Sequence, residues 1–304
     1  MIPGRSILSV PGNVEKMHRK AAESNTDIVL LDLEDSVSLD EKDKARELIV
    51  KSINEMDWKG KKISFRINNT DTPLSYLDLI YVAENAGDKI DSVVIPKVDA
   101  EDDVHFVSKM LDGIEKNKGF ENKIKIEASI ESAEGLERID KIAAAGDRLI
   151  SLVFGIADFS ASIGAKNVSI SGHGENEDII YPGHRWNFVM SRIVMAAKAN
   201  GLQAVDAPYG NFKDPDGLKK GCVIALSLGF DSKWAIHPSQ IDTINELFAP
   251  DEEEIERALR VLKAAEEAEE KGRGAASIDG RMIDGATIRL ARKTKEKAEF
   301  YNLI

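Results

Sequence analysis

The chain has 304 residues, of which 42% are hydrophobic, and its formal net charge at pH 7 is −12. This length and apolar content suffice for one large core with a small appendage. The acidic balance argues against generic nucleic-acid binding, and no stretch approaches the roughly 18 apolar residues that cross a membrane. A single cysteine, Cys222, excludes an internal disulfide framework and favours a reducing, cytoplasmic location.

The first 248 residues alternate between short apolar runs and patterns of helical spacing. Eight strands are predicted, at Ser6–Val10, Ile28–Leu33, Ile63–Ile67, Ser92–Ile95, Ile124–Ile130, Leu149–Phe154, Gln203–Asp206 and Trp234–Ile236. Helices are predicted between them, at about 13–24, 40–55, 75–86, 101–117, 133–145, 184–200 and 215–228. This alternation favours a closed (β/α)₈ TIM barrel in the α/β class. The alternative is an open doubly wound sheet. Such a sheet usually carries a glycine-rich phosphate-binding turn after its first strand, and the residues found there, Pro11-Gly12-Asn13, do not match that fingerprint.

The pattern changes after Phe248, so we divide the chain into a catalytic barrel domain, 1–248, and a C-terminal helical extension, 249–304. The extension is predicted to hold a long charged helix at 251–271 and a basic helix at about 286–300. A tail that follows a complete barrel needs a surface to pack on, and a neighbouring subunit is a natural one.

The segment from Lys166 to Gly183 is rich in Gly, Ser and Asn and interrupts the alternation. It is either a mobile flap over the site or a tolerated surface insertion.

Polar residues follow the predicted strands at their carboxyl ends, where the chemistry of such barrels lies. Glu131 and Asp158 follow neighbouring parallel strands, so both carboxylates should lie at one edge of the sheet. Mg²⁺ takes one or two protein carboxylates and leaves its other positions to water and substrate. The alternative is that each carboxylate caps the helix after it, and the spacing alone does not separate these interpretations. The other polar residues at this edge are Asp32, Glu34, Asp35, Arg66, Asn68, Lys97, Asp206 and His237.

Nine motifs, in register over nearly the whole chain, carry a family resemblance. They are RSILSVPGN, LLDLEDSV, FRIN, IPKV, IEASIESAEG, FGIADFSAS, AVDAPY, KWAIHPSQI and MID. Together they resemble the HpcH/HpaI aldolase and citrate lyase β-subunit superfamily, and within it the L-malyl-CoA/β-methylmalyl-CoA lyases. The resemblance implies a (β/α)₈ barrel, Mg²⁺ with Mn²⁺ as a substitute, a CoA thioester substrate, and a homotrimer or homohexamer.

The resemblance also assigns roles to individual residues. The metal carboxylates of the family fall on Glu131 and Asp158, which favours the metal interpretation over capping. Its strand-three arginine falls on Arg66, a guanidinium suited to stabilising an enolate oxygen. The carboxylate that the family delivers to a neighbouring subunit's active site falls on Asp284, the expected general acid.

Two further pairs of residues take roles from the same resemblance. The acidic pair of the LEDxV motif falls on Glu34 and Asp35, which are expected to fix metal-bound waters and Arg66. The CoA-binding end falls on Arg5 and on Lys16 of the next helix.

The helix predicted after strand six begins near Gly155, Ala157 and Asp158, and free N–H groups at a helix start accept an anion such as the substrate carboxylate. His237 is a candidate base, but its Trp-Ala-Ile-His-Pro context favours a hydrogen-bonded structural histidine. Lys97 is a candidate Schiff-base lysine, although the carboxylate pair favours a metal-dependent reaction instead.

The expected activity is reversible, Mg²⁺-dependent aldol-type cleavage of (S)-malyl-CoA to glyoxylate and acetyl-CoA, and of β-methylmalyl-CoA to glyoxylate and propionyl-CoA. A citramalyl-CoA lyase or a citrate lyase β subunit is the alternative, because an added methyl or carboxymethyl group changes pocket discrimination by only ~1–3 kcal/mol. A catalytically silent scaffold subunit is a further alternative. Neither nucleic acid nor membrane is expected as a partner.

Overall fold

A computed structural model of the chain describes residues 4–166, 173, 185–270, 276–278 and 281–304. Eight parallel strands close into a barrel, each hydrogen-bonded to its neighbours in sequence, and β8 returns to β1 through the pairing of Ile7 with Trp234. The predicted (β/α)₈ barrel is therefore confirmed. The strands are Ser6–Pro11 (β1), Ile28–Asp32 (β2), Lys62–Arg66 (β3), Ser92–Ile95 (β4), Lys125–Ile130 (β5), Leu149–Phe154 (β6), Gln203–Asp206 (β7) and Ser232–Ala235 (β8).

Ten helices of the described chain accompany the barrel strands. They are Glu15–Glu23 (α1), Lys42–Glu55 (α2), Ser75–Ala86 (α3), Glu101–Lys118 (α4), Ala133–Glu137 (α5), Ile139–Ala143 (α6), Ile156–Ser162 (α7), Asn187–Ala199 (α8), Pro215–Leu228 (α9) and Ile241–Phe248 (α10). The helix predicted at 133–145 is two short helices, because Arg138 leaves the helical conformation with φ −91° and ψ 6°. Helix α9 shows how its ends are encoded, since Asp214 caps its first turn and Gly229 ends it with φ +101°.

The barrel interior is built from side chains that alternate along the strands. Six strands each contribute one apolar residue to a shared cluster, which consists of Ile7, Leu30, Val94, Val153, Val205 and Trp234. On β5 the inward row carries Glu127 instead, whose carboxyl group accepts hydrogen bonds from Ser64, Ser92 and Ser151. Because every second residue faces the same side, this row continues from Glu127 to Glu131 at the carboxyl end of the strand.

The chain divides into two compact units, and the second begins at Glu246, close to the predicted boundary after residue 248. It contains the helices Glu252–Glu270 (α11) and Gly285–Phe300 (α12) and the antiparallel strands Ala276–Ile278 (β9) and Arg281–Ile283 (β10). A small core of its own holds it together, formed by Ala258, Val261, Ile283 and Ala291.

Two further expectations concern the predicted flap and the absence of a membrane span. The predicted flap from Lys166 to Gly183 lies outside the described residues, apart from Lys166 and His173. Among the described helices, none combines the length and apolarity that a membrane crossing requires.

Candidate active site at the carboxyl ends of the strands

Two carboxylates meet at the edge where β5 and β6 end. These strands pair through Ile130 and Phe154, and the N–H of Gly155 donates to the carbonyl of Ile130 at 3.1 Å. Glu131 follows β5, and Asp158 lies in the first turn of α7 directly after β6. The structure therefore brings the two predicted metal carboxylates to one edge of the barrel.

Glu131 is a buried acid in an unusual setting. It is 5% exposed, and its carboxylate finds no hydrogen-bond partner within the described part of the chain. Burial raises its pKa to about 8; Arg66 and Lys97 act to lower the pKa, whereas Glu34 and Asp158 act to raise it. A buried carboxylate in such a place needs a proton or a cation, so this group is suited to binding a metal ion.

Gly155 makes room for Glu131. A Cβ atom added at Gly155 would lie 2.6 Å from Cδ of Glu131 and against its Cγ, which is too close for any side chain. Residues other than glycine also adopt the φ of −101° found here, so the backbone conformation does not require glycine. Glycine is required because a side chain would clash with Glu131.

The donor set fits a hard divalent ion that keeps part of its hydration. Over the described ranges no group of three or more His, Cys, Asp or Glu side chains forms a ready metal cluster. Glu131 and Asp158 supply carboxylate oxygens, and Mg²⁺ commonly uses one or two such ligands and keeps water or substrate on its remaining positions. The residues present therefore fit Mg²⁺ better than an ion such as Zn²⁺, which binds three or four protein ligands.

Arg66 is fixed by two acids. Its Nε and Nη2 donate to the carboxylate of Asp32 at 2.6 and 2.7 Å, and its Nη1 lies 2.8 Å from Oε2 of Glu34. The guanidinium also lies over the ring of Trp234, with 5.6 Å between Cζ and the ring centroid. Burial acts to lower the pKa of Arg66, but Asp32 and Glu34 outweigh it and raise the pKa. The group is a permanently charged donor held in one orientation.

Lys97 connects the remaining acids of this edge. Its ammonium donates to Oε1 of Glu34 and lies 3.6 Å from Oδ2 of Asp35 and 3.7 Å from Oδ1 of Asp158. Burial acts to lower the pKa of Lys97, but the hydrogen bond and charge of Glu34 raise it. Lys97 therefore stays protonated, which disfavours a Schiff-base role because that chemistry needs the neutral amine.

Two residues of this site were missed as functional contributors in the sequence. The sequence puts Asp32 at this edge without indicating a role. In the structure it is the main partner of Arg66, directly opposite it in the register of β2 and β3. Lys42 is buried, and its ammonium donates to the carbonyl oxygens of Leu33 and Glu34 at 2.5 and 2.6 Å, which fixes the segment after β2. Only the position of Asp32 at a strand end offered a signal.

The start of α7 departs in part from expectation. The N–H of Gly155 already bonds to the carbonyl of Ile130, so it does not bind a substrate carboxylate. Gly155 therefore does not contribute a free N–H donor, but its missing side chain leaves space for Glu131. Its expected contact with the substrate stays a prediction. Ala157 is exposed beside Asp158 in the first turn of the helix, where N–H groups have no intrahelical partner.

Arg5 lies at the wrong end of the barrel for its predicted CoA contact. It precedes β1, and its guanidinium pairs with Asp27, which precedes β2, at 2.8 and 2.9 Å. Both residues lie at the amino-terminal ends of the strands, opposite the carboxylate edge. Lys16, in contrast, is exposed in the first turn of α1, just after β1 has reached the carboxyl edge.

His237 and Asp284 both act as local caps. Nδ1 of His237 lies 2.8 Å from Oγ of Ser239 and accepts from its N–H, which agrees with the interpretation of a structural histidine. Asp284, in the unit that begins at Glu246, is exposed and accepts from the N–H of Thr287 at 2.8 Å. Its expected action in another subunit's active site remains a prediction.

Comparisons with known proteins show which family and which structures the chain is similar to. The sequence profile of the HpcH/HpaI aldolase/citrate lyase family matches residues 5–238. The L-malyl-CoA/β-methylmalyl-CoA lyase of Cereibacter sphaeroides is 39% identical over 302 residues, which cover 98% of this chain and 95% of that protein. The citrate lyase subunit β of Haemophilus influenzae is 34% identical over 296 residues, 97% of each chain. CitE from Mycobacterium tuberculosis, crystallised with magnesium, acetoacetate and coenzyme A, has a TM-score of 0.76 at 28% identity, with 97% of each chain covered.

Proposed function

The chain belongs to the HpcH/HpaI aldolase/citrate lyase family, and we propose that it is a carbon–carbon lyase that cleaves (S)-malyl-CoA reversibly to glyoxylate and acetyl-CoA. β-Methylmalyl-CoA, which would yield propionyl-CoA, is the proposed second substrate. The observation that carries the proposal is Glu131, a buried carboxylate without a hydrogen-bond donor among the described residues, placed beside Asp158 and within the field of Arg66.

Glu131 and Asp158 are the residues that would hold Mg²⁺, with Mn²⁺ as a proposed substitute. A bound ion would supply Lewis-acid chemistry and would help to orient the 2-oxoacid. The two carboxylates position that chemistry at the carboxyl ends of β5 and β6. The Glu131 carboxylate can occupy its position only because residue 155 is a glycine, which has no side chain.

Arg66 is proposed to stabilise the enolate that forms from the acetyl-CoA part when the carbon–carbon bond breaks. A donor held in place before the reaction stabilises developing negative charge without reorganisation. Asp32 accepts from two nitrogens of the guanidinium, and Glu34 forms an ion pair with the third. These two acids therefore orient the donor rather than react.

Protonation of the enolate carbon is assigned to Asp284 of a neighbouring subunit, in a proposed homotrimer or homohexamer. In the condensation direction the same carboxylate would take a methyl proton from acetyl-CoA. Lys16 is proposed to contact the CoA moiety from the start of α1. A reducing cytoplasm is the proposed location, because a single cysteine leaves no internal disulfide to form.

A substrate panel tests the activity. Purified protein with Mg²⁺ is offered malyl-CoA, citramalyl-CoA and citryl-CoA, and mass spectrometry follows the free oxoacid, the acyl-CoA and free CoA together. We expect glyoxylate and acetyl-CoA from malyl-CoA. Pyruvate from citramalyl-CoA or oxaloacetate from citryl-CoA as the preferred product would favour the alternatives, and malate with free CoA would indicate a thioesterase. No cleavage and no Mg²⁺ binding would indicate a scaffold subunit.

The affinity for Mg²⁺ is expected to rise with pH, by up to about tenfold per pH unit below about pH 8, and then to level off. Burial raises the pKa of Glu131 to about 8, so below that value Mg²⁺ must displace a proton from this carboxyl group. Titration calorimetry in buffers of different ionisation enthalpy would measure both the affinity and the proton release. Equal affinities from about pH 6.5 to about pH 8, without proton release, would contradict this role for Glu131.

Gly155→Ala is expected to weaken Mg²⁺ binding and to lower kcat by about tenfold or more, because the new methyl group displaces the Glu131 carboxylate. The matched control is Gly113→Ala in α4, where a Cβ meets nothing within 4 Å. That change should leave both quantities unchanged and should stabilise the helix slightly. Wild-type affinity in the Gly155 variant, measured by calorimetry, would count against this account of the site.

A further inference from the structure

The backbone of Lys97 has an unusual conformation. Its φ is +50°, in the left-handed region that L-residues rarely adopt. Within the described ranges only two other non-glycine residues share this feature, Lys59 and Asn302. Such a conformation persists where the surroundings enforce it, often at functional sites. The turn lies immediately after β4 and directs the side chain toward the acids of the edge.

The ammonium of Lys97 occupies a place among carboxylates from two sides of the barrel. Glu34 and Asp35 come from the segment after β2, and Asp158 comes from α7 after β6. Among the described residues, Lys97 is the one basic side chain within 4 Å of Asp158. Arg66, another cation of the edge, is held by Asp32 and Glu34 instead.

A cation in this position has two opposite effects on metal binding. It attracts Glu34 and Asp158 and so keeps the acidic edge ordered when no metal ion is bound. It also repels any ion that approaches Asp158, and a divalent ion feels twice the repulsion that a proton does. The same ammonium therefore favours turnover, by holding Glu34 beside Arg66, and disfavours tight metal binding.

We propose that Lys97 is a positioning residue that acts as an internal counter-cation, and that its ammonium and Mg²⁺ compete for Asp158. The inference rests on the proposed function, because it takes Glu131 and Asp158 as the residues that hold the metal. When Mg²⁺ binds, the ammonium leaves Asp158 and keeps its hydrogen bond to Glu34. Competition from the ammonium therefore keeps Mg²⁺ binding weaker than the two carboxylates alone would make it, so that the ion can exchange.

The test is the Mg²⁺ affinity of Lys97→Met, measured by titration calorimetry at about pH 9 so that proton competition is small. Removing the positive charge should tighten Mg²⁺ binding by about tenfold or more, while kcat falls. Lys97→Arg keeps the charge and should stay within about threefold of the wild-type affinity. Lys59→Met is the matched control, since it removes the same charge from another left-handed position, before β3, and should leave the affinity unchanged.

A second variant guards against misfolding. Lys97→Gly relieves the left-handed backbone as it removes the charge, so it should fold, and it should bind Mg²⁺ as tightly as the methionine variant. If the wild type cleaves malyl-CoA and binds Mg²⁺, but both neutral variants fold and bind it no more tightly, the inference is overturned and the proposed function stands. A wild type that binds no Mg²⁺ would overturn the proposed function and this inference with it.

Discussion

Asp158→Asn is expected to lower malyl-CoA cleavage by about 10³-fold or more and to abolish measurable Mg²⁺ binding, with little change in Tm. The amide keeps the shape of the side chain but removes the charge that the metal needs. The side chain of Asp158 is 42% exposed, and its ion pair with Lys97 is long, at 3.7 Å. Folding therefore depends little on it, since surface substitutions usually change stability by about 0.5 kcal/mol or less.

The matched control for this variant is Asp140→Asn. Asp140 is also an exposed aspartate with a single ion pair, to Arg192 at 2.7 Å, and it lies on α6, away from the carboxyl edge. The two variants thus change the net charge equally. Loss of Mg²⁺ binding in both would point to a general charge effect. Wild-type Mg²⁺ affinity in Asp158→Asn would remove Asp158 from the site.

The barrel could be predicted because parallel strands covered on both faces leave continuous apolar runs in the sequence. Leu149–Phe154 was predicted with its observed bounds. The last strand begins earlier than the sequence pattern indicates, since the pattern predicts Trp234–Ile236 and the structure has Ser232–Ala235. Its first residues are polar yet buried, and the ammonium of Lys233 is neutralised by Asp206 on the neighbouring strand. A charge that is paired across strands has no signature in an apolar pattern.

The position of the site could be predicted from the topology of the barrel, whereas the hydrogen-bond and ion-pair partners of its residues could not. Once Glu131 and Asp158 were placed at the ends of consecutive parallel strands, they had to share an edge. The partner of Arg66 depends on the register between β2 and β3, which sets Asp32 opposite it, and one sequence does not fix that register.

Arg5 shows the reverse case, in which the sequence already held the correct answer. The predicted first strand began at Ser6, so the residue before it had to lie at the amino-terminal edge, away from the chemistry. The family resemblance suggested a CoA contact there, but strand direction is the stronger constraint. Motif matches therefore need to be checked against the direction of the strand that carries them.

Arg66→Lys is expected to lower kcat by about 10²- to 10³-fold while changing the Mg²⁺ affinity much less. An ammonium is a point charge and cannot reproduce the planar fork that engages Asp32 through two nitrogens and Glu34 through the third. The donor is then misplaced with respect to the enolate oxygen, although a positive charge remains. Single-turnover measurements would assign the loss to bond cleavage rather than to binding.

Stability has to be separated from catalysis in this variant, because the arginine is buried. Arg46→Lys is the matched control, since Arg46 is also buried and its Nε donates to the buried Asp78 at 2.6 Å, in the α2–α3 layer outside the barrel. Both variants should lose about 1–3 kcal/mol of unfolding free energy, but only Arg66→Lys should lose turnover. Since Asp32 and Glu34 raise the pKa of Arg66, the guanidinium is charged over the whole working range, and the catalytic loss should not vary with pH. A loss that disappears at low or high pH would mean that Arg66 acts through proton transfer instead of as a fixed donor.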